Sequence, residues 1–202
     1  MNPRILLPAA AALVVLTACG GSSGGSSSGS ASSASSSAAS SGAVATWAIT
    51  DCAVQAPPLL EPQPPVDSQG QDGVQSTVDV AKAPKIGIVD SAAPATSLVA
   101  IDLVPGSGTA VAKGGTVTVN YCGVGLATKT LFDSSWVRKE PISFPLGNVI
   151  QGWQEGLVGM QPGGRRLLII PGDLAYGPQP PPGSGIKPNE TLVFVVDLIS
   201  SP

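Results

Sequence analysis

The sequence predicts an α+β fold, in which an antiparallel β-sheet wraps around one short α-helix. Three segments rich in β-branched residues, 116–122, 165–170 and 191–199, carry apolar side chains on at least one face, as strands do. One segment between them has apolar residues at helical spacing. Gly163 and Gly164 mark a turn. A few strands with one helix on a single face form an α+β arrangement.

The N-terminus has the composition of a signal peptide at residues 1–18. A positive charge at Arg4 is followed by an uncharged, mostly apolar run that ends in the lipobox Leu-Thr-Ala-Cys at 16–19. The run is shorter than the roughly 20 residues that a transmembrane helix requires. We therefore expect a bacterial lipoprotein that is anchored to a membrane through a lipid on Cys19. Cleavage after Ala18 without lipidation is the alternative.

Residues 19–45 are expected to form a tether behind that lipid. Positions 20–43 are all Gly, Ser or Ala, so the segment lacks apolar side chains large enough to offset the entropy of ordering. A flexible chain of this length has an r.m.s. reach of roughly 25 to 30 Å. The tether is thus expected to hold the following domain away from an extracytoplasmic membrane surface.

Residues 46–95 are interpreted as an N-terminal extension that precedes a domain at 96–202. The first part of the extension, which includes the proline-rich segment 55–65, is predicted to be extended linker. From Val74 onward, β-branched residues predict short strands that pack on the following domain. A small second domain around Trp47 and Cys52 is the alternative.

The cysteines allow a prediction about one face of the sheet. If Cys19 carries a lipid, Cys52 and Cys122 remain, and an extracytoplasmic compartment allows them to oxidise. Side chains alternate along the strand 116–122, so Cys122 points away from the face that carries Tyr121. The two cysteines either form a disulfide that holds the extension on this outer face or remain two free thiols.

The short helix is predicted from one apolar stripe and the residue before it. Asn148 is a candidate N-cap. Ile150, Trp153 and Leu157 follow at spacings that place their side chains on one face of a helix. That face is predicted to be buried against the sheet.

The composition excludes several classes of function. The sequence has no histidine, which removes histidine bases, Ser-His-Asp triads and most zinc sites. No glycine loop follows a strand in the pattern that binds phosphate. The net charge of -3, with 11% charged residues, argues against nucleic acid as a partner. We therefore expect a function that needs no metal, no cofactor and no nucleotide.

Five motifs occur in a fixed order in the C-terminal half of the chain. They are NYCG at 120–123, LFDSSW at 131–136, VIQGWQEGLVGM at 149–160, LAYG at 174–177 and NETLVFVVDLI at 189–199. In this order they resemble the FKBP-type peptidyl-prolyl cis/trans isomerases, over roughly residues 96–202. The resemblance implies an FKBP-like fold and rotamase activity in a pocket that binds proline.

The resemblance also implies roles for the residues that match the motifs. The implied catalytic residues are Tyr121, Asp133 and Tyr176. Tyr176 would donate its hydroxyl to a substrate carbonyl, while Asp133, with Arg138 nearby, would act as an electrostatic partner of the twisting amide. The implied substrate-binding residues are Trp153 as the floor, with Phe132, Ile142, Val149, Ile150, Ile186 and Phe194 around it. In the family, the residue that matches Ile150 also presents its backbone N–H to the ligand carbonyl.

Some positions depart from the family pattern and are expected to alter the pocket. Ile142 stands where many members have phenylalanine, so one wall would be aliphatic. The loop at 178–187, which contains Ile186, has an unusual run of prolines and borders the pocket. The aromatic residue Phe144 is expected to be an ordinary core residue.

These expectations lead to one function and one alternative. The function is acceleration of Xaa-Pro rotation in exported proteins, by desolvation of the amide in an aromatic pocket. The alternative is a binding module or chaperone that captures proline-containing segments with the same pocket and without turnover. The protein is expected to be a monomer that binds macrolides such as rapamycin and does not bind nucleic acid.

Overall fold

A computed structural model describes residues 45–202 of the chain. Three features predicted from the sequence lie outside the described residues and stay predictions. They are the signal peptide at 1–18, the lipidated Cys19 and the tether as far as residue 44. Between residues 45 and 202, no helix combines the length and the apolar character that crossing a bilayer requires.

The first strands of the described chain form an antiparallel sheet, which we call the N-terminal sheet. In chain order they are β1 (Trp47–Asp51), β2 (Leu59–Glu61), β3 (Ser68–Gln71), β4 (Val74–Thr77) and β5 (Lys85–Val89). Their order across the sheet is β2-β1-β5-β4-β3, and each neighbouring pair is antiparallel. The short strands predicted from Val74 onward are confirmed as β4 and β5.

The structure differs from the prediction that the residues before Val74 are linker. Strands β1, β2 and β3 lie there, and the proline-rich segment 55–65 surrounds β2 at the edge of the sheet. Prolines are tolerated at an edge, because the outer side of an edge strand needs no N–H donors. Pro65 also packs over the sheet, since a Cβ on Gly87 would lie 2.5 Å from its Cδ.

A second antiparallel sheet, the C-terminal sheet, follows in the chain. Its strands are β6 (Val99–Val104), β7 (Thr116–Gly125), β8 (Leu131–Ser134), β9 (Ile142–Pro145), β10 (Arg165–Ile170) and β11 (Leu192–Ser200). The order is β6-β10-β11-β7-β8, and β9 pairs with the first part of β7. The strands predicted at 116–122, 165–170 and 191–199 are therefore confirmed as β7, β10 and β11.

Among residues 45–202, helical structure is limited to short elements. The α-helices are α1 (Ser135–Arg138) and α2 (Gln151–Gly156), and 3-10 turns span Leu146–Asn148 and Gly172–Leu174. The described part of the chain is thus mostly antiparallel sheet with a few short helices. This agrees with the prediction of an antiparallel sheet with little helix.

Helix α2 begins later than the sequence predicted. Its N-cap is Ile150, whose side chain makes no capping hydrogen bond, and Asn148 instead ends the preceding 3-10 turn. The Asn148 N-cap prediction is wrong because this turn occupies the positions where the predicted helix would start. The apolar stripe is confirmed: Trp153 and Leu157 are buried in one core, and Ile150 packs against the same core.

Side chains of the C-terminal sheet alternate between two buried cores. On β11, Leu192, Phe194 and Val196 belong to one cluster, the inner core, and Val193 and Val195 belong to another, the outer core. Strand β10 is buried along its whole length in the same way. Because both faces of these strands are buried, their sequences are continuous apolar runs.

The two cores have different neighbours. Helix α2 contributes Trp153 to the inner core, together with Leu157 at its C-cap. The N-terminal sheet contributes Val74, Ile86 and Ile88 to the outer core. The N-terminal sheet therefore covers the face of the C-terminal sheet opposite to α2.

A disulfide joins the two sheets in the outer core. It links Cys52, which follows β1, to Cys122 of β7, and both residues are fully buried. Along β7, Tyr121 lies in the inner core and Cys122 in the outer core, as the alternation of side chains predicts. The extension is thus attached covalently to the strand that carries a predicted site residue.

A buried ion pair forms a second connection. Arg165 of β10 is completely buried and pairs with Asp197 of β11, with 2.8 Å between Nη2 and Oδ2. Its guanidinium also donates to the carbonyl oxygens of Thr77 at 2.9 Å and Lys82 at 2.8 Å. Thr77 ends β4 of the N-terminal sheet, and Lys82 lies between β4 and β5. The hydrogen bonds of this buried cation are therefore completed only when the two sheets are packed together.

Candidate functional site

An open cavity of about 250 Å³ lies beside α2, on the inner face of the C-terminal sheet. Its lining residues are Tyr121, Phe132, Asp133, Ile142, Phe144, Asn148, Val149, Ile150, Trp153, Tyr176 and Phe194. They come from β7, β8, β9, β11, α2 and the loops around them. Distant parts of the chain therefore converge on one mostly apolar pocket with a few polar groups, which is typical of a ligand site.

Larger cavities, of about 460 and 580 Å³, lie elsewhere in the described part of the chain. One is lined largely by the small residues of segment 91–97, and the other mainly by segment 61–67, which includes three prolines, and by residues between 77 and 85. Neither combines aromatic rings with a hydroxyl and a carboxylate, so size alone does not identify the site. Among residues 45–202, no three His, Cys, Asp or Glu side chains are grouped as a metal would require.

Trp153 forms the floor of the cavity and is only 5% exposed. The rings of Tyr121 and Phe194 meet it edge to face, with centroid distances of 5.4 and 5.1 Å. Phe144 lies against it at 5.5 Å, and Phe132 meets Phe194 edge to face at 5.4 Å. Edge-to-face contacts of this kind stabilise aromatic clusters beyond simple burial. The walls and the floor are thus one packed group of rings.

Gly123 allows these rings to meet. It pairs with Phe194 on β11 and with Asp133 of β8 on the other side of β7. A Cβ at this position would lie 2.5 Å from Cζ of Phe132 and 2.8 Å from Cε1 of Phe194. The glycine of the NYCG motif is therefore a steric requirement of the pocket.

A polar network occupies one wall of the cavity. The Tyr121 hydroxyl donates to Asp133, and Arg138 forms an ion pair with the same carboxylate. Arg138 Nη2 also donates to the Tyr121 hydroxyl oxygen at 2.8 Å. Burial, followed by the hydrogen bond to Asp133, raises the pKa of Tyr121 to about 12. At neutral pH, Tyr121 is therefore a neutral donor that orients the Asp133 carboxylate.

The buried indole N–H of Trp153 and two further donors near the cavity have no acceptor among the described residues. The Ile150 N–H makes no backbone hydrogen bond. Tyr176 is 37% exposed, and its hydroxyl is likewise unbonded within this part of the chain. Burial and the nearby charge of Asp133 raise the pKa of Tyr176, so its hydroxyl is protonated at neutral pH. Both groups can donate to a carbonyl oxygen of a bound peptide.

The structure brings together all but one of the site residues predicted from the sequence. The exception is Ile186, which packs against the inner core but does not line the cavity. Its neighbour Lys187 donates its N–H to Glu190 at 2.8 Å, and Glu190 also accepts the N–H groups of Ala127 and Thr128. These bonds hold the end of the loop beside the turn at 127–128.

Sequence reasoning missed two lining residues. Phe144 was expected to be an ordinary core residue, but it contributes to the cavity wall while packing on Trp153. The signal was available, because Ile142 and Phe144 are two positions apart on one strand and share a face. Asn148, interpreted as a helix cap, lies at the cavity as well.

The chain is similar to known proteins in sequence and in structure. The sequence profile of the family described as FKBP-type peptidyl-prolyl cis-trans isomerase matches residues 107–199. A probable FK506-binding protein of Corynebacterium glutamicum is 47% identical over 119 residues, which cover 58% of this chain and 98% of that protein. The FK506-binding protein of Streptomyces anulatus is 47% identical over 109 residues, or 53% and 88% of the two chains. FkpA of Escherichia coli, in its crystal structure, is 38% identical, with a TM-score of 0.49 over 65% of this chain and 53% of that chain.

The chain therefore belongs to the family of FKBP-type peptidyl-prolyl cis-trans isomerases. The predictions of this family and of an enzyme with this isomerase activity are confirmed. The strands β1 to β5 of the N-terminal sheet lie outside the segment that matches the family profile.

Proposed function

We propose that this isomerase accelerates Xaa-Pro rotation in exported proteins by removing water from the amide in the aromatic cavity. The observation that carries the proposal is the Trp153 floor beside the Tyr121–Asp133–Arg138 network. The barrier to amide rotation is about 18 to 20 kcal/mol, because planarity preserves resonance. The planar amide is more charge-separated than the twisted one, so an apolar environment disfavours the ground state more strongly. A reduction of about 4 kcal/mol gives roughly a thousandfold acceleration.

The proline ring of the substrate is proposed to lie on Trp153, between Phe132 and Phe194. The free donors at Ile150 and Tyr176 would then hold carbonyl oxygens of the bound peptide. Fixing the peptide on both sides of the rotating bond favours one twisted geometry without making or breaking a covalent bond. This arrangement explains how a sequence without histidine can catalyse the reaction.

Asp133 is proposed to act electrostatically. Its carboxylate accepts from Tyr121 and pairs with Arg138, so both of its oxygens are occupied. A carboxylate held in this way is a fixed negative charge beside the rotating amide, and no proton transfer is needed. The role therefore depends on orientation, which Tyr121 and Arg138 supply.

The proposed compartment is extracytoplasmic, with the enzyme anchored to a bacterial membrane through Cys19. The lipobox supports the anchor, and the disulfide between Cys52 and Cys122 supports an oxidising compartment. Proline-containing segments of exported proteins are then the proposed substrates, and rapamycin-like macrolides are proposed to occupy the same cavity of a monomeric enzyme. Fractionation tests the anchor: the native chain should be found with membranes, and a Cys19→Ala variant should be released.

Turnover of a short Xaa-Pro peptide tests the mechanism. The cis-to-trans rate should rise with enzyme, fall with rapamycin, and fall at least about tenfold in a Tyr176→Phe, Asp133→Ala double variant. Asp72→Asn is the matched control, because Asp72 is exposed in the turn between β3 and β4 and asparagine tolerates its φ of 54°. If the double variant accelerates the cis-to-trans reaction as strongly as the native enzyme or the Asp72→Asn control, the proposed roles of Tyr176 and Asp133 are wrong.

A further inference from the structure

One hydroxyl connects the N-terminal sheet to the wall of the isomerase site. Ser134 is 3% exposed and does not line the cavity. Its Oγ donates to the carbonyl oxygen of Cys52 at 2.8 Å. The same oxygen accepts the N–H groups of Trp136 at 3.1 Å and Val137 at 3.4 Å, which makes Ser134 the N-cap of α1. The Cys52 carbonyl, next to the N-terminal sheet, therefore orients the hydroxyl that caps α1 beside the C-terminal sheet.

The elements on either side of Ser134 carry the polar network of the site. Asp133 immediately precedes it in β8, and Arg138 is the last residue of α1. These two side chains hold the Tyr121 hydroxyl between them. Since α1 has only four residues, its position depends on its cap more than on its own hydrogen bonds. A change at the cap therefore moves Arg138 relative to Asp133.

The acceptor of the Ser134 hydroxyl is itself fixed. Cys52 is completely buried, its N–H donates to the Pro84 carbonyl at 3.1 Å, and its sulfur is bonded to Cys122. Cys122 follows Tyr121 in β7 and pairs with Ser134 across the sheet. The N-terminal sheet is thus connected to both strands that carry the Tyr121–Asp133 hydrogen bond.

We propose that Ser134 is a positioning residue of the isomerase, because its hydroxyl, held by the carbonyl of disulfide-bonded Cys52, sets the geometry of Asp133 and Arg138 around Tyr121. Ser134 touches no substrate and acts through the network. The proposal rests on the proposed role of Asp133 in turnover. It also gives the N-terminal sheet, which lies outside the family profile, an effect on catalysis.

Steady-state turnover of an Xaa-Pro peptide by the full chain tests the proposal. Ser134→Ala should lower kcat about fivefold, which corresponds to about 1 kcal/mol in activation free energy, because Arg138 and Asp133 lose their alignment around Tyr121. KM should change less than about twofold, because the apolar lining is unaltered. Ser134→Thr, which keeps the hydroxyl, should restore kcat. Thr50→Val is the matched control: it removes another buried hydroxyl that joins the sheets, at Lys129 O, and should leave kcat unchanged.

A double-mutant cycle tests the connection to the disulfide. Joint replacement of Cys52 and Cys122 by alanine should lower kcat in the same direction. Adding Ser134→Ala should then cost less than it does in the native chain, because both changes release the same hydroxyl. If Ser134→Ala does not fold, the test rests on the variant in which alanine replaces Cys52 and Cys122. An unchanged kcat of that variant would overturn the proposal.

Two other outcomes would also overturn it. One is a folded Ser134→Ala variant with native kcat, and the other is an additive cycle. An Asp133→Ala variant, measured in parallel, separates this inference from the proposed mechanism. If Asp133→Ala is fully active, the proposed role of Asp133 fails. If only Asp133→Ala is impaired, the mechanism stands and the positioning role of Ser134 is wrong.

Discussion

Replacing Gly123 by alanine should disturb both the stability and the turnover of the enzyme. The added Cβ would lie 2.5 Å from Cζ of Phe132 and 2.8 Å from Cε1 of Phe194, well inside van der Waals contact. Gly123 belongs to β7 and is paired on both sides, so its backbone cannot retreat without breaking ladder hydrogen bonds. The two rings must therefore move, and the open space available to them is the cavity.

The size of the effect follows from two contributions. Inserting a methyl group into a packed core costs about 1 to 3 kcal/mol, and losing the edge-to-face contact of Phe132 with Phe194 costs about 0.5 to 1.5 kcal/mol. Partial relaxation into the cavity reduces their sum, so we expect the free energy of unfolding to fall by about 2 kcal/mol. Rings displaced into the cavity should also lower kcat/KM about tenfold, equivalent to about 1.4 kcal/mol.

Urea unfolding and Xaa-Pro turnover measure these two effects, with Gly147→Ala as the control. A Cβ on Gly147, in the 3-10 turn before α2, would meet nothing within 4 Å. Its stability should change by less than about 0.5 kcal/mol, and its turnover should be native. If Gly123→Ala matches this control in both assays, the rings do not meet at Gly123 and the description of the cavity wall is wrong.

Three further predictions follow from buried groups. At pH 10, Tyr121 should remain protonated in the folded protein, because burial raises its pKa to about 12, and the rise in the pKa of Tyr176 acts in the same direction; near-ultraviolet absorbance should therefore show more tyrosine ionisation at that pH after denaturation than before it. Because the pKa of Tyr121 rises from 10.0 to about 12, the folded state binds more protons in this interval, and the free energy of unfolding should fall as pH rises through it, but less so in Tyr121→Phe. Arg165→Leu should lower the free energy of unfolding in urea by about 3 to 5 kcal/mol, since it leaves a buried carboxylate unpaired; a loss below about 1 kcal/mol would contradict the buried ion pair. A non-reduced proteolytic digest should contain the Cys52 and Cys122 peptides as one species that reduction separates, and two separate peptides before reduction would exclude the disulfide.

The sequence predicts the three central strands of the C-terminal sheet, because they are long and rich in residues that are buried, whereas β6, β8 and β9 were not predicted. Strands β10 and β11 are rich in Val, Ile and Leu and are buried along almost their whole length, and β7 alternates Thr with buried Val in its first four residues. The site is equally predictable where a motif names a residue, as for Trp153 or Asp133. Phe144 lies in none of the five motifs. Only its spacing of two residues from Ile142 on β9 indicates that it lines the cavity.

The strands before Val74 could not be predicted in this way. Strand β2 has three residues, all exposed, and β3 has the sequence Ser-Gln-Gly-Gln. Neither carries a periodic apolar pattern, so their structure depends on pairing with β1 and β4. Such pairing is non-local and leaves no local signal in the sequence. The Asn148 error has a similar cause, since a polar residue before an apolar stripe also suits the end of a 3-10 turn.

Strand β7 explains how a layer outside the family profile can influence the site. Consecutive residues of this strand serve opposite faces: Tyr121 contributes to the cavity and Cys122 forms the disulfide beneath the N-terminal sheet. One peptide unit therefore separates the polar network from the covalent attachment of the outer layer. Closely packed strands transmit displacements instead of absorbing them. We therefore expect the N-terminal sheet to affect catalysis through β7 and the Ser134 cap, in addition to covering the outer core.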